Sequence, residues 1–216
     1  MKTVLSTKKL SEKQKIKLEN AGFLIVEKNF ISTKNIVFQF EETHQNLIFT
    51  SKKAVKSILH IKEQLVANKV FCVGERTKKY LEKNGFHVVE YKNYAEDLAH
   101  KIITDFPTES FTFFCGNLRR NTLPEMLLAN KITFNEIQVY TTQLKSHKIT
   151  DKIDVILFFS PSGISSYLEK NTITNQKCIC VGKTTANVLQ NKTQNVLISS
   201  KPTIKSVVET CIKTIN

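Results

Sequence analysis

An apolar run gives way to an amphipathic one at Phe49-Thr50-Ser51-Lys52-Lys53-Ala54-Val55, and the change recurs at Phe158-Phe159-Ser160-Pro161-Ser162-Gly163-Ile164. Each segment has the pattern of a strand that ends and a helix that begins, since serine is a preferred N-cap residue. Further along, Val73-Gly74-Glu75-Arg76-Thr77 similarly matches Val181-Gly182-Lys183-Thr184-Thr185 at nearly the same spacing. This internal repeat predicts two related lobes, with chance similarity among strand–turn–helix units as the alternative.

Short apolar or β-branched runs alternate with amphipathic stretches along the whole chain. The alternation predicts an α/β fold of parallel sheets flanked by helices, and two pseudo-symmetric domains are expected because one sheet would be very wide. The first unit is too short to fold alone, and the last third lacks a beginning of its own. We therefore predict a discontinuous domain from 1–33 and 144–216, an inserted middle domain at 38–139, and linkers at about 31–38 and 139–145.

The composition narrows the class of partner. A formal net charge of +13 favours an anionic partner, namely nucleic acid, a membrane surface or a polyanionic small molecule. The lysines are spread along the chain and tryptophan is absent, so no nucleic-acid partner is expected. The five cysteines and five histidines show no metal-ligand spacing, so no metal is expected. Without a long apolar run or a signal peptide, the protein is expected to be cytoplasmic, with no membrane partner.

Ligands of open parallel sheets bind outside the carboxyl ends of the strands, where helix N-termini present free N–H groups. Taken singly, each loop at such a position is better explained by helix N-capping, but together they predict a site for a small molecule with several negative groups. These loops carry glycine, hydroxyl and arginine residues: Thr50-Ser51, Gly74 with Arg76-Thr77, Gly116-Asn117 with Arg119-Arg120, Ser160-Pro161-Ser162-Gly163, and Gly182 with Thr184-Thr185.

Two familiar kinds of site are not supported. The end of the second repeat, Gly182-Lys183-Thr184, resembles a Walker A loop, but Lys177 stands where that motif needs glycine, and no G-x-G-x-x-G occurs. No histidine lies in the loops and no G-x-S-x-G elbow is found, so a nucleophile with its base is not predicted. No cofactor is expected.

Taken in order, the motifs resemble the uroporphyrinogen-III synthase family along nearly the whole chain. The residues that carry the resemblance are Ile48-Phe49-Thr50-Ser51-x-x-Ala54-Val55, Val73-Gly74-x-x-Thr77, Phe114-Cys115-Gly116-Asn117-Leu118-Arg119-Arg120-x-x-Leu123-Pro124, Val139-Tyr140, Phe159-Ser160-Pro161-Ser162-Gly163, Gly182-x-Thr184-Thr185-Ala186 and Pro202-Thr203.

The resemblance implies two α/β domains joined by a two-stranded linker, and a cofactor-independent hydro-lyase of tetrapyrrole and haem biosynthesis. The linear substrate, hydroxymethylbilane, would lose water and close to uroporphyrinogen III with ring D inverted. Its eight carboxylates match the positive charge of the chain. A monomer is expected.

The family also implies roles for individual residues. Tyr140 would help the hydroxyl leave as water, unless it only packs where its strand enters the linker. Family members often carry Thr-Arg-Pro where this chain has Thr7-Lys8-Lys9, so a contact there would fall to Lys8 or be lost. The residues expected to bind substrate carboxylates are Thr50, Ser51, Lys52, Thr77, Gly116, Asn117, Arg119, Ser160, Ser162, Thr184 and Thr185.

A different class of function shares every one of these loops. A non-catalytic two-lobed module would bind a polycarboxylate metabolite and turn nothing over. Replacing Tyr140 by Phe distinguishes the two, because it would leave all measurable function of a binding module unchanged.

Overall fold

The computed structural model describes residues 1–39 and 43–215. They fall into two compact units: unit 1 is formed by 1–32 and 143–215, and unit 2 by 33–39 and 43–142. Residues 40–42 and Asn216, which belong to the predicted domain ranges, lie outside the described residues. The chain passes from one unit to the other at 32–33 and at 142–143.

Strands and helices alternate as the sequence predicts. The strands are β1 (Lys2–Ser6), β2 (Phe23–Glu27), β3 (Ile31–Asn35), β4 (Asn46–Phe49), β5 (Lys69–Val73), β6 (His87–Lys92), β7 (Ser110–Gly116), β8 (Thr133–Leu144), β9 (Val155–Phe158), β10 (Lys177–Cys180) and β11 (Val196–Ile198). The helices are α1 (Glu12–Asn20), α2 (Lys52–Ile58), α3 (Lys62–Leu65), α4 (Glu75–Lys83), α5 (Ala95–Asp105), α6 (Thr122–Ala129), α7 (Pro161–Leu168), α8 (Lys183–Ala186) and α9 (Ile204–Ile215). Short 3-10 helices at Leu59–Ile61 and Asn187–Leu189 follow α2 and α8.

The sheet of unit 1 has the strand order β11-β10-β9-β1-β2, and every described pairing in it is parallel. Strands β1 and β9 lie side by side in the middle although they are far apart in sequence. Apolar side chains cover both faces, with Val4 and Leu157 in one hydrophobic cluster and Leu5 and Ile156 in the other. The N-terminal strands β1 and β2 therefore complete the core of a unit whose other three strands come from the last third of the chain.

The sheet of unit 2 has the order β3-β8-β7-β4-β5-β6, with parallel pairing from β8 through β6. Its core also lies on both faces, around Phe49 and Phe114 on one side and Phe71 and Phe113 on the other. Phe49 and Phe114 stack at 5.3 Å between ring centroids, which ties β4 to β7.

The two sheets share one order of five strands if the chain is permuted and the edge strand β3 of unit 2 is left out. Strands β4, β5 and β6 take the places of β9, β10 and β11, while β7 and β8 take those of β1 and β2. In each sheet the chain leaves the central pair in opposite directions, which makes β4–β7 and β1–β9 topological switch points. The predicted α/β class, with parallel sheets flanked by helices, is confirmed. None of the described helices combines the length and apolarity that a membrane crossing requires.

Candidate active site

Ser51 and Tyr140 meet at the carboxyl edge of the unit 2 sheet. Ser51 follows β4 and N-caps α2, because the backbone N–H of Ala54 donates to its Oγ at 3.2 Å. The same Oγ lies 3.2 Å from the hydroxyl of Tyr140 on β8, and either atom can donate. The predicted catalytic residue and a predicted binding residue thus form a hydrogen-bonded pair.

The ring of Tyr140 rests directly on Gly116, the last residue of β7. A Cβ atom on Gly116 would lie 2.4 Å from Cζ and 2.5 Å from Cε2 of the ring, far inside contact distance. Gly116 is not among the residues with positive φ, so this position requires glycine because of the ring and not because of the backbone. The β7–β8 register shifts between Cys115 and Gly116, and this irregularity brings Tyr140 opposite Gly116.

Asn117 uses its side chain to hold the end of β8. Its Nδ2 donates to the carbonyl of Thr142 at 3.2 Å, and its Oδ1 accepts from the Thr142 N–H at 2.7 Å. The backbone N–H of Asn117 also donates to the Tyr140 carbonyl at 3.4 Å. Both ends of the amide are therefore engaged in fixing the strand that carries Tyr140.

Arg119 is held by an acidic partner on β8. One guanidinium nitrogen lies 2.6 Å from Glu136 Oε2, and another donates to Asn121 Oδ1 at 2.5 Å. The hydrogen bond to Glu136 raises the pKa of the guanidinium. Glu136 thus already satisfies the arginine that the sequence offers to the substrate.

The other predicted residues of this edge differ in exposure. Thr50 is half-buried directly after β4, and Lys52 is exposed in the first turn of α2. Thr77 is only 5% exposed, and Thr185, its counterpart in unit 1, is only 3% exposed. The backbone N–H of each threonine donates to the carbonyl oxygen of the glycine three residues earlier, at 2.9 Å for Thr77 and 3.0 Å for Thr185. Both therefore close the first turn of a helix from inside the fold.

The carboxyl edge of unit 1 is lined by hydroxyl groups. Ser160 N-caps α7 by accepting the N–H of Gly163 at 3.0 Å, and its Oγ lies 3.1 Å from that of Ser162. Thr184 is half-buried in the four-residue helix α8. The structure thus brings Ser160 and Ser162 together.

Sequence reasoning missed two residues at these edges. Thr7 is buried after β1 and donates its hydroxyl to the Leu157 carbonyl at 2.7 Å, so it closes the loop at the unit 1 switch point. Glu136, the partner of Arg119, lies on a strand for which the sequence indicates only apolar alternation. The family motif marks the position of Thr7 but not its contact, and no local signal identifies Glu136, because each contact joins segments that are distant in sequence.

No group of three or more histidine, cysteine or acidic side chains that could hold a metal ion is found within 1–39 and 43–215. All five cysteines are buried. Burial raises the pKa of the thiols of Cys72, Cys178, Cys180 and Cys211 to about 12, and that of Cys115 to about 11.

Fold and site together define a class: an α/β protein of two units, each with its switch-point edge lined by small polar residues, and with a tyrosine on one edge. A sequence model described as Uroporphyrinogen-III synthase HemD matches residues 12–209. The chain belongs to the uroporphyrinogen-III synthase family, and the resemblance drawn from its motifs is confirmed.

Individual relatives agree with this assignment. The chain is 25% identical to the uroporphyrinogen-III synthase of Saccharomyces cerevisiae over 84% of its own length and 80% of the relative's. It is 26% identical to that of Chlorobaculum parvum, over 67% and 68% of the two chains. Among solved structures, the uroporphyrinogen-III synthetase of Helicobacter pylori superposes with a TM-score of 0.73 at 20% identity, covering 99% of both chains. A mutant Thermus thermophilus uroporphyrinogen III synthase reaches 0.69 at 11% identity over 99% and 98%.

Proposed function

We propose that this chain catalyses the reaction of its family, the closure of hydroxymethylbilane to uroporphyrinogen III with loss of water and inversion of ring D. Family membership supports the reaction class. The observation that carries the proposal is the pairing of the Tyr140 hydroxyl with Ser51 at a topological switch point, over a glycine that leaves room for the ring.

The hydrogen bonds of Ser51 include one arrangement that frees the phenolic proton of Tyr140. The Ser51 oxygen accepts from the Ala54 N–H, and in this arrangement the Ser51 hydroxyl donates its own proton to the Tyr140 oxygen. In that arrangement the phenolic proton of Tyr140 points away from Ser51 and is available to a substrate oxygen. A hydrogen bond from Tyr140 to the substrate hydroxyl favours the departure of that hydroxyl as water. The nitrogen of the terminal pyrrole ring that carries the hydroxymethyl group supplies the electron pair that breaks the C–O bond.

Holding the substrate is the larger task. Closure without an enzyme gives the type I isomer readily, so the protein must keep the chain in the conformation that leads to the inverted product. Among the predicted binding residues, Thr50, Lys52, Ser160, Ser162 and Thr184 have exposed or half-buried side chains, and we assign direct contacts with carboxylates to them.

The remaining predicted residues act differently in this proposal. Asn117 and Arg119 are engaged with β8, so they position the strand that bears Tyr140. Thr77 and Thr185 are buried and shape the first turns of their helices, where backbone amides face an anionic ligand. A cytoplasmic monomer with no nucleic-acid or membrane partner completes the proposal.

The deciding experiment supplies purified protein with freshly generated hydroxymethylbilane, oxidises the products and separates the type I and type III uroporphyrins by chromatography. An excess of type III over the protein-free control is expected. Type I alone from folded protein would refute the proposal. Tight binding of uroporphyrin without type III production would leave the non-catalytic binding module in its place. Sedimentation at several concentrations tests the monomer.

A further inference from the structure

The surface of α4 is divided into two stripes of opposite character. Glu75 pairs with Lys79 at 2.7 Å and Glu82 pairs with Lys78 at 3.8 Å, so one stripe carries its own counter-charges. Arg76, Tyr80 and Lys83 follow the spacing of a second stripe, since residues three and four apart share one face of a helix. This second stripe contains no acidic residue.

Helix α2 adds two more cations to that second stripe. The Nζ atom of Lys52 lies 4.2 Å from the centroid of the Tyr80 ring, and that of Lys56 lies 6.0 Å from it. A tyrosine face attracts an ammonium group and holds it in place. We call the resulting group of cations the cationic shelf: Lys52, Lys56, Arg76 and Lys83.

Within residues 1–39 and 43–215, no acidic side chain supplies a counter-charge to the shelf. All four side chains are exposed, and none of them forms an ion pair with any residue in the described part of the chain. The pKa of Lys52 is lowered, first by partial loss of hydration and then by repulsion from Lys56, Arg76 and Lys83. Like charges this close disfavour one another, and an anion bound among them would relieve the repulsion.

The position of the shelf relates it to the candidate active site. Lys52 directly follows Ser51 after β4, and Arg76 follows Gly74 after the neighbouring strand β5. Both strands run parallel, so both loops lie at the same edge of the unit 2 sheet as the Ser51–Tyr140 pair.

We propose that the cationic shelf is a subsite for side-chain carboxylates of the linear tetrapyrrole, an inference that rests on the proposed function. Arg76 offers a planar fork that matches a carboxylate in two hydrogen bonds, and the lysines add mobile point charges. The shelf supplies affinity for the substrate and does not take part in ring closure.

The test compares two triple variants that remove the same charge from unit 2. The first replaces Lys56, Arg76 and Lys83 by Gln. The second replaces Lys69, Lys78 and Lys79, whose ammonium groups already pair with Glu109, Glu82 and Glu75. At low salt we expect KM for hydroxymethylbilane to rise about tenfold in the first variant, since it loses three exposed ionic contacts that each change affinity about twofold, and less than about twofold in the second. Both should keep kcat and the type III fraction.

Equilibrium binding separates the shelf from the reaction. Uroporphyrin III, with eight carboxylates, should bind more weakly to the shelf variant than to the unmodified protein. The ratio of its affinity to that of the four-carboxylate coproporphyrin III should also be smaller in the shelf variant. Added salt should weaken binding to the unmodified protein more than to the shelf variant, because ions screen exposed charges. Equal losses in both triple variants, or an unchanged uroporphyrin affinity, would overturn the shelf.

Two further readouts keep the interpretation unambiguous. Unmodified protein that makes no type III product would refute the proposed function, whereas the porphyrin comparison would still decide the shelf. Should the triple variant fold poorly, single Lys56→Gln and Lys83→Gln variants should each raise the porphyrin Kd about twofold, and no change in either would count against the shelf.

Discussion

The two units have the same order of five strands at their switch points, but the strands that form the two carboxyl edges differ in length. In unit 1, β1 and β2 are five residues each, and Glu27 at the end of β2 accepts the N–H of Leu10 and closes the loop. In unit 2, β7 and β8 run for seven and twelve residues, and this extra length carries Gly116 and Tyr140. The serine caps belong to the scaffold that both units share, while the group proposed for chemistry belongs to the strand extension of one unit.

The two capping serines show the same difference at the level of one atom. Ser51 and Ser160 each accept a backbone N–H three residues on, at 3.2 and 3.0 Å. The second contact of Ser51 is a phenol, whereas that of Ser160 is another serine. The same local motif therefore has a different role in each unit, and the neighbouring strand determines that role.

The largest expected effect concerns the cysteines, which report on each unit separately. Burial raises the pKa of Cys72 in unit 2 and of Cys178 in unit 1 from 9.0 to about 12, so the reactive thiolate is about a thousandfold scarcer than in unfolded chain. Each unit has its own hydrophobic clusters, so the two units can open separately. We therefore expect alkylation at pH 8 in mild urea to label the cysteines of unit 1 and those of unit 2 at different rates, measured by peptide mass spectrometry. Equal rates would mean that the units open together.

Next in size is the loss of the phenol. Tyr140→Phe should lower kcat about a hundredfold, because a general acid contributes about 10²–10⁴, and should leave KM and the circular dichroism spectrum unchanged. Steady-state kinetics with isomer analysis measures this. A kcat within twofold of the unmodified value would reduce Tyr140 to a packing residue and erase the chemical difference between the two edges.

Gly116→Ala should have an intermediate effect. The added methyl group meets the Tyr140 ring at 2.4 Å, so the ring must move, with a loss of about 1–3 kcal/mol in unfolding free energy and of about tenfold or more in kcat. Urea denaturation and kinetics measure the two losses.

The control for this variant removes the ring. In a Tyr140→Ala background the methyl group has space, and Gly116→Ala should then cost far less stability. Equal costs in both backgrounds would show that the glycine serves something other than the close approach of the tyrosine.

The smallest effect is expected from the pair Ser51→Ala and Ser160→Ala. Both variants lose an N-cap, which costs about 1 kcal/mol in each unit. Ser51→Ala should in addition lower kcat about fivefold, since one hydrogen bond to Tyr140 contributes about 1 kcal/mol, while Ser160→Ala should act mainly on KM. Ser51→Thr should restore most of kcat. Similar kinetic profiles for the two alanine variants would mean that both serines only cap helices.

Much of the architecture could be predicted because its signals are local. The alternation of apolar and amphipathic runs predicts the α/β class, and the repeated strand–serine–helix motif identifies the loops at the carboxyl edges. The extent of β8 could not be predicted. Apolar alternation indicates Glu136 to Tyr140, but the strand runs from Thr133 to Leu144, because its first residues pair with β7 and Thr142 is held by the side chain of Asn117.

The candidate site divides in the same way. The identity of Ser51, Gly116 and Tyr140 as a set follows from motifs, but their meeting does not, since Ser51 and Tyr140 are 89 residues apart. The sequence likewise did not predict the ion pair between Arg119 and Glu136 or the burial of Thr77, because both depend on which elements are neighbours in the folded unit.

The sequence by itself determined the class of fold, the family, the positive charge and the small polar loops, because periodicity, capping preference and composition act over a few residues. Only the tertiary structure decided that Tyr140 lies on Gly116 and bonds Ser51, and that Lys52 and Lys56 of α2 reach the ring of Tyr80 on α4. Those contacts depend on strand order and on one shift of register, which arise from the packing of the whole unit and leave no local trace.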